Sequence, residues 1–249
     1  MAKERITIKR VGFYNGHFFN IRSLDEDYHC QFGTIPKNEL KNSVGKTNKN
    51  VEIKLFEPNF SDHISDIKRG PQIPLTKDFG IIVAKTGIGK ESIIVDTGSG
   101  SGYFSSMYAN IAKKVYSFDL NEEHLSIAEK NAAYVGLKNV QFKRLNIYEE
   151  EPDIAEKGNV DLVSLDLPEP WRALNNAVPL LKSGGFITAY LPCITQVSEF
   201  VEEVNRREDL VCLDNLEVTQ RIWIVDKKRV RPENQQLSHS GFITFVRKV

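Results

Sequence analysis

The chain has 249 residues, 41% of them hydrophobic and 27% charged, with 33 Lys and Arg against 33 Asp and Glu. That is enough apolar material for a substantial core, which excludes disorder as the overall description. A balanced charge argues against a protein that coats nucleic acid nonspecifically, although local basic patches remain compatible with it. No apolar run approaches the ~20 residues that span a bilayer, and Met1–Arg10 carries no signal-peptide core, so a soluble, cytoplasmic protein with no membrane contact is expected. Cys30, Cys193 and Cys212 are far apart, odd in number and form no C-x-x-C pair, which suits reduced thiols and speaks against structural zinc; no metal is expected.

The first sixty residues read as a small β-rich domain. Arg5–Val11 alternates, Tyr14–His17 contains the turn pair Asn15-Gly16, Phe18–Ile21 is short and apolar, Val51–Phe56 alternates again, and Lys41–Asn50 reads as a solvated loop. Residues 61–90 read as a helical linker and pocket lid, with Ser61 or Asp62 capping one helix and Thr76 another, whose apolar face uses Phe79, Ile82 and Val83.

Residues 91–249 alternate strand and helix. Strands are expected at Ser92–Thr97, Lys114–Leu120, Val140–Ile147, Asp161–Leu167 and Gly185–Leu191. Helices are expected at Gly102–Ala112, Asn121–Val135, Trp171–Leu181 and Thr195–Arg206. Near-continuous apolar strands of this kind form a parallel sheet covered on both faces, a doubly wound α/β fold. Leu213–Ile224 and Phe242–Arg247 have no long helix between them and should close the sheet edge as an antiparallel pair.

The strongest constellation is Asp96-Thr97-Gly98-Ser99-Gly100-Ser101-Gly102 at the end of the first of these strands. Its G-x-G-x-G spacing is one residue shorter than the dinucleotide fingerprint, and an acid precedes it by two positions; both features favour S-adenosylmethionine over a nicotinamide cofactor. Asp119 ends the next strand, where a carboxylate can accept both hydroxyls of a ribose. Asn146-Ile147 lies where the third strand ends and can face an adenine. The fourth strand ends in Asp166-Leu167-Pro168-Glu169-Pro170-Trp171, a carboxylate beside a large aromatic at the edge where open α/β sheets bind ligands. Trp171 reads equally well as a core residue.

Arg69-Gly70-Pro71-Gln72-Ile73, Lys77-Asp78, the glycine motif, Asp166–Trp171, Ala189-Tyr190-Leu191-Pro192, Thr195-Gln196-Val197, Arg231-Pro232-Glu233 and His239-Ser240-Gly241-Phe242 together resemble the tRNA (adenine-N1)-methyltransferases. The resemblance runs over essentially the whole chain. It implies a Rossmann-like class I methyltransferase sheet with a small N-terminal β-rich domain, acting on T-loop adenine 58 and, in archaeal members, also on adenine 57.

It further implies that Asp96 and the loop Gly98, Ser99, Gly100, Ser101, Gly102, Tyr103 and Phe104 hold the methionine part of S-adenosylmethionine. Asp119 with Leu120 would hold the ribose side, Asn146 and Ile147 the adenine, and Gln72 and His124 would approach the cofactor. Asp166 would be catalytic and in reach of the cofactor, and Tyr190 would contact the target base. S-adenosylhomocysteine would be the product, tRNA the partner, and a homotetramer the assembly. Two departures stand out: Pro74-Leu75 replaces the Ile-Tyr of the R-x-x-Q-I-I-Y pattern, and Asn146 stands where an acid is usual. The alternatives are a class I methyltransferase acting on a protein carboxylate or small molecule, and a noncatalytic tRNA-binding subunit. Arg206-Arg207, Arg221, Lys227–Arg231 and Arg247-Lys248 are candidate phosphate contacts.

Overall fold

A computed structural model describes residues 7–68, 75–235 and 239–249, and divides the chain into two compact units: 1–67 with 133–136, and 68–132 with 137–249.

In the first unit, Asn15 and Gly16, both at positive φ, turn β1 (Arg10–Tyr14) into β2 (His17–Ile21). Of the alternation at Arg5–Val11, residues 5–6 lie outside the described residues, 7–9 are not strand, and β1 takes up only Arg10 and Val11. A short hairpin, β3 (Tyr28–Cys30) and β4 (Gly33–Ile35), follows. The segment expected to be a plain loop contributes β5 (Val44–Lys46), which pairs with β6 (Glu52–Phe56). The four-stranded sheet runs β2-β1-β6-β5 and buries Ile21, Ile53 and Leu55 against Ile35 and Leu40. Arg10 ties it to the following loop, its guanidinium donating to the carbonyls of Leu40, Lys41 and Asn42. Helix α1 (Phe60–Asp66) is capped by Asn59 rather than by Ser61 or Asp62. Asn59 Oδ1 accepts the Asp62 N–H while Asp62 accepts the Asn59 N–H, a reciprocal arrangement that satisfies two orphan donors.

The second unit starts with α2 (Thr76–Thr86). Thr76 is its first helical residue instead of its cap; Asp78 reaches back to the Leu75 N–H. Then come β7 (Ile93–Thr97), α3 (Tyr103–Ile111), β8 (Lys114–Asp119), α4 (Glu122–Val135, closed by Gly136 at positive φ), β9 (Val140–Arg144) and β10 (Val160–Leu165). The helix expected over Trp171–Leu181 is broken into two 3-10 turns around α5 (Leu174–Ala177), because Pro179 has no N–H to continue it. β11 (Leu181–Leu191) and α6 (Ile194–Asn205) follow, with Val197, Phe200 and Val204 on the buried face of the helix.

The sheet order is β12-β15-β11-β10-β7-β8-β9, with β12 (Leu210–Glu217) and β15 (Phe242–Lys248) antiparallel at one edge, as expected. β12 starts and ends earlier than Leu213–Ile224. The residues beyond it form a separate hairpin, β13 (Trp223–Asp226) and β14 (Arg229–Pro232), turning at Lys227 with positive φ. β7, β8, β9, β10 and β11 are parallel, and the chain steps from β7 to β8 on one side and later to β10 on the other. That reversal of direction opens a crevice between the β7 and β10 tips. No helix among the described residues is long and apolar enough to cross a membrane.

Candidate active site

The crevice is built where β7 gives way to the glycine loop. Gly98, Gly100 and Gly102 all have positive φ. A Cβ on Gly102 would lie 2.7 Å from Ala128 Cβ, so the third glycine lets the loop seat on α4. The Gly98 and Ser99 N–H groups donate to the Phe118 carbonyl at 2.8 and 3.2 Å, which ties the loop to the tip of β8.

Asp119 closes β8. Its Oδ2 accepts the Gly100 N–H at 2.9 Å and its Oδ1 the Asn121 N–H at 2.8 Å, while His124 Nδ1 lies 3.4 Å from Oδ2. Two backbone donors thus fix the carboxylate and leave acceptor lone pairs for a ligand. Leu120, half exposed beside it, offers an apolar surface.

Asp96 is buried under the loop. Ser105 Oγ donates to its Oδ2 at 2.5 Å and Ser117 Oγ at 3.3 Å; Ser117 also lies 2.6 Å from Ser99 Oγ and 2.8 Å from Ser105 Oγ. Burial pushes the Asp96 carboxyl up to about 6, against the pull of these hydroxyls. The sequence pattern alone does not mark Ser105 or Ser117 as functional. The available signal was a serine inside the apolar strand Val115-Tyr116-Ser117-Phe118, which must find a partner once buried.

Asp166 follows β10, its N–H donating to the Thr97 carbonyl at 3.0 Å. Dense protein surroundings push its carboxyl up to about 7, and the negative charges of Asp96 and Asp119 add to the shift. The turn behind it is pinned: Gln196 Nε2 donates to the Pro168 carbonyl at 2.9 Å and the Glu169 N–H to the Tyr148 hydroxyl at 3.2 Å. Trp171 packs against the core, the plainer of its two readings. Tyr190, near the end of β11, has its ring 6.4 Å from that of Phe104, edge to face; burial pushes its hydroxyl up to about 12.

Asp96, Asp119, Asp166, Tyr190 and the loop from Gly98 to Phe104 therefore gather at the carboxyl ends of β7, β8, β10 and β11. Tyr103 and Phe104 are buried in the first turn of α3. The Ser101 carbonyl is held by Asn131 at 2.8 Å. Asn146 caps its own turn through the Tyr148 N–H at 3.2 Å, and Ile147 is buried in the core. Gln72 and the Arg69–Ile73 motif lie outside the described residues. His239 bonds Glu217 at 2.5 Å and the Pro192 carbonyl at 3.1 Å, close behind Tyr190 in the chain.

Three carboxylates that repel one another, two with raised pKa, form a site that favours a cationic ligand, with a backbone-held acceptor at Asp119 and an apolar neighbour beside it. With the parallel sheet and its antiparallel edge, these features define a class I methyltransferase dependent on S-adenosylmethionine. The chain belongs to the family described as the tRNA methyltransferase complex GCD14 subunit, whose model matches residues 64–241. It is 29% identical to the tRNA (adenine(57)-N(1)/adenine(58)-N(1))-methyltransferase TrmI of Methanocaldococcus jannaschii, over 93% of this chain and 92% of that protein. It is 31% identical to the tRNA (adenine(58)-N(1))-methyltransferase TrmI of Thermus thermophilus, over 89% and 88%. A solved structure described as an S-adenosylmethionine-dependent O-methyltransferase from Thermotoga maritima superposes with a TM-score of 0.82 at 26% identity, over 98% of this chain and 94% of that one.

Proposed function

We propose that this protein methylates N1 of adenine in the T-loop of tRNA, at position 58 with position 57 as a second acceptor, using S-adenosylmethionine. The observation that carries the reading is Asp166, held at the β10 tip between the glycine loop and β11, which carries Tyr190, together with relatives named for this reaction over nearly the whole chain.

In this reading Asp119 accepts the ribose hydroxyls, with Leu120 and His124 beside it. Asp96 and the loop from Gly98 to Phe104 face the methionine part, and Asn146 and Ile147 border the adenine; Gln72, outside the described residues, is assigned to the cofactor from the family resemblance alone. Bound S-adenosylmethionine supplies a sulfonium methyl, which passes to N1 as the sulfur–carbon bond breaks and S-adenosylhomocysteine is left. Adenine N1 carries a free lone pair, so no general base is needed to start the reaction. Asp166 accepts a hydrogen bond from the N6 amine and, ionised, offsets the positive charge that develops on the base. Tyr190 presents its ring to the acceptor. The target adenine is extruded from the folded T-loop, at a cost of a few kcal/mol in the general case.

A homotetramer in the cytoplasm completes the reading. The β13–β14 hairpin supports self-association, because Trp223 and Val225 are 52% and 75% exposed. Light scattering on the purified protein tests the assembly. Incorporation of labelled methyl into tRNA, against RNA-free controls with carboxylate and small-molecule acceptors, tests the reaction; label that enters without RNA would reject it.

A further inference from the structure

Lys77-Asp78 and Ser240-Gly241 are motifs that the cofactor and acceptor contacts leave unexplained, and the fold brings both to Tyr190. The Lys77 and Asp78 side chains are 6% and 0% exposed. Lys77 Nζ donates to Asp78 Oδ1 at 2.8 Å, to the Val218 carbonyl at 2.5 Å and to Ser240 Oγ, which uses all three ammonium protons. The other Asp78 oxygen accepts the Leu75 N–H at 3.0 Å. Helix capping accounts for that last bond but not for the buried lysine. A buried ion pair adds little net stability over apolar replacements, so its presence asks for another role.

The next residues supply one. A Cβ on Gly241 would lie 2.6 Å from Tyr190 Cζ and 2.8 Å from its hydroxyl oxygen, so Gly241 lies flush against the phenol, while Phe104 packs edge-on to the same ring. Ser240 Oγ already accepts from Lys77, so its own proton is free to be given away, and Ser240 is the chain neighbour of the glycine that lies against the Tyr190 hydroxyl. Lys77 thus ties Ser240, and with it Gly241, to Asp78 at the start of α2, and this cluster borders the Tyr190 phenol. α2 is itself seated by Phe79, whose ring lies 5.9 Å from Phe104 and 5.2 Å from Tyr108.

We propose that Lys77, Asp78 and Ser240 are positioning residues that lock the ring and hydroxyl of Tyr190 in one orientation at the acceptor side, and so govern presentation of the target base and leave cofactor binding alone. The catalytic part of this inference rests on the methyltransferase reading above. Its geometric part does not.

The test uses full-length protein carrying tyrosine labelled with carbon-13 at Cζ, with the Tyr190 resonance assigned from Tyr190→Phe. In Ser240→Ala and Lys77→Met the Tyr190 resonance should move by more than its linewidth in the ligand-free protein. In tRNA methylation, kcat for Ser240→Ala should fall about tenfold, with the dissociation constant for S-adenosylhomocysteine within about twofold of wild type. Tyr190→Phe should abolish that difference, so that the double variant is no slower than Tyr190→Phe alone. An unmoved Tyr190 resonance in Ser240→Ala, or kcat losses that multiply, would overturn the proposal. If Lys77→Met does not fold, Ser240→Ala, which deletes only a hydroxyl, decides alone. If the wild type methylates no tRNA, the functional reading fails while the resonance still decides the geometry.

Discussion

A Cβ placed on Gly98 would lie 2.0 Å from the carbonyl oxygen of Asp166, so the glycine loop and the fourth-strand aspartate touch with no room for a side chain between them. Gly98 also holds φ +85°. Any other residue here must strain its own backbone and push Asp166 away. Gly98→Ala should therefore destabilise the protein by about 3 kcal/mol and lower kcat/KM by at least about 100-fold. Thermal denaturation and methylation kinetics measure the two effects.

Asp166 and Asp96 titrate higher in the folded chain than the ~4 of an unfolded aspartate. The folded state then keeps protons that the unfolded state has released, so the contribution of these two groups to the stability of the ligand-free protein falls as pH rises from about 4 to about 7 and is level above. Asp166→Asn removes its share of that loss. Its melting temperature should match wild type near pH 4 to 5 and exceed it at pH 8, while activity drops by about 100-fold or more. Equal melting temperatures at pH 8 would show that Asp166 is not under electrostatic stress.

The same carboxylates make ligand affinity depend on pH. Protonating Asp166 and Asp96 removes negative charge from the crevice, so S-adenosylmethionine should bind more weakly at pH 6 than at pH 8. S-adenosylhomocysteine, which lacks the sulfonium charge, should respond less. Calorimetric titrations at the two pH values compare them.

The placement of the candidate site in the fold was legible because its parts sit where a parallel sheet must place them. Asp119 ends a strand, the glycine motif and Asp166 each come directly after one, and strand ends follow from the apolar runs. The supporting groups were not, because hydroxyls such as Ser105, Ser117 and Ser240 carry no pattern until the fold supplies their partners. Local caps were ambiguous for a related reason: Asn59, Ser61 and Asp62 can all cap a helix, and only the reciprocal bond between Asn59 and Asp62 selects one. β5 has three residues and exists through its pairing with β6, while the β13–β14 hairpin was hidden by its basic turn.

The basic residues separate by what already holds them. Arg207 chelates Asp209 at 2.8 and 2.9 Å, and Lys248 donates to the Val178 and Leu181 carbonyls. Lys227, Lys228 and Arg229 are exposed at the hairpin turn. Replacing these three by alanine should weaken tRNA binding and reduce the salt dependence of log K by roughly two to three. Arg207→Ala should lower stability and leave that slope unchanged. Filter binding over a salt series gives both slopes.

N1-methyladenine cannot pair on its Watson–Crick edge, so reverse transcription of a modified tRNA stops beside it. The most direct measurement incubates an unmodified tRNA transcript with S-adenosylmethionine and either wild type or Asp166→Ala, then maps the stops. Stops at adenine 58, alone or with adenine 57, that vanish with Asp166→Ala are the expected result. Methyl incorporation without a T-loop stop, or stops that persist in Asp166→Ala, would contradict the account.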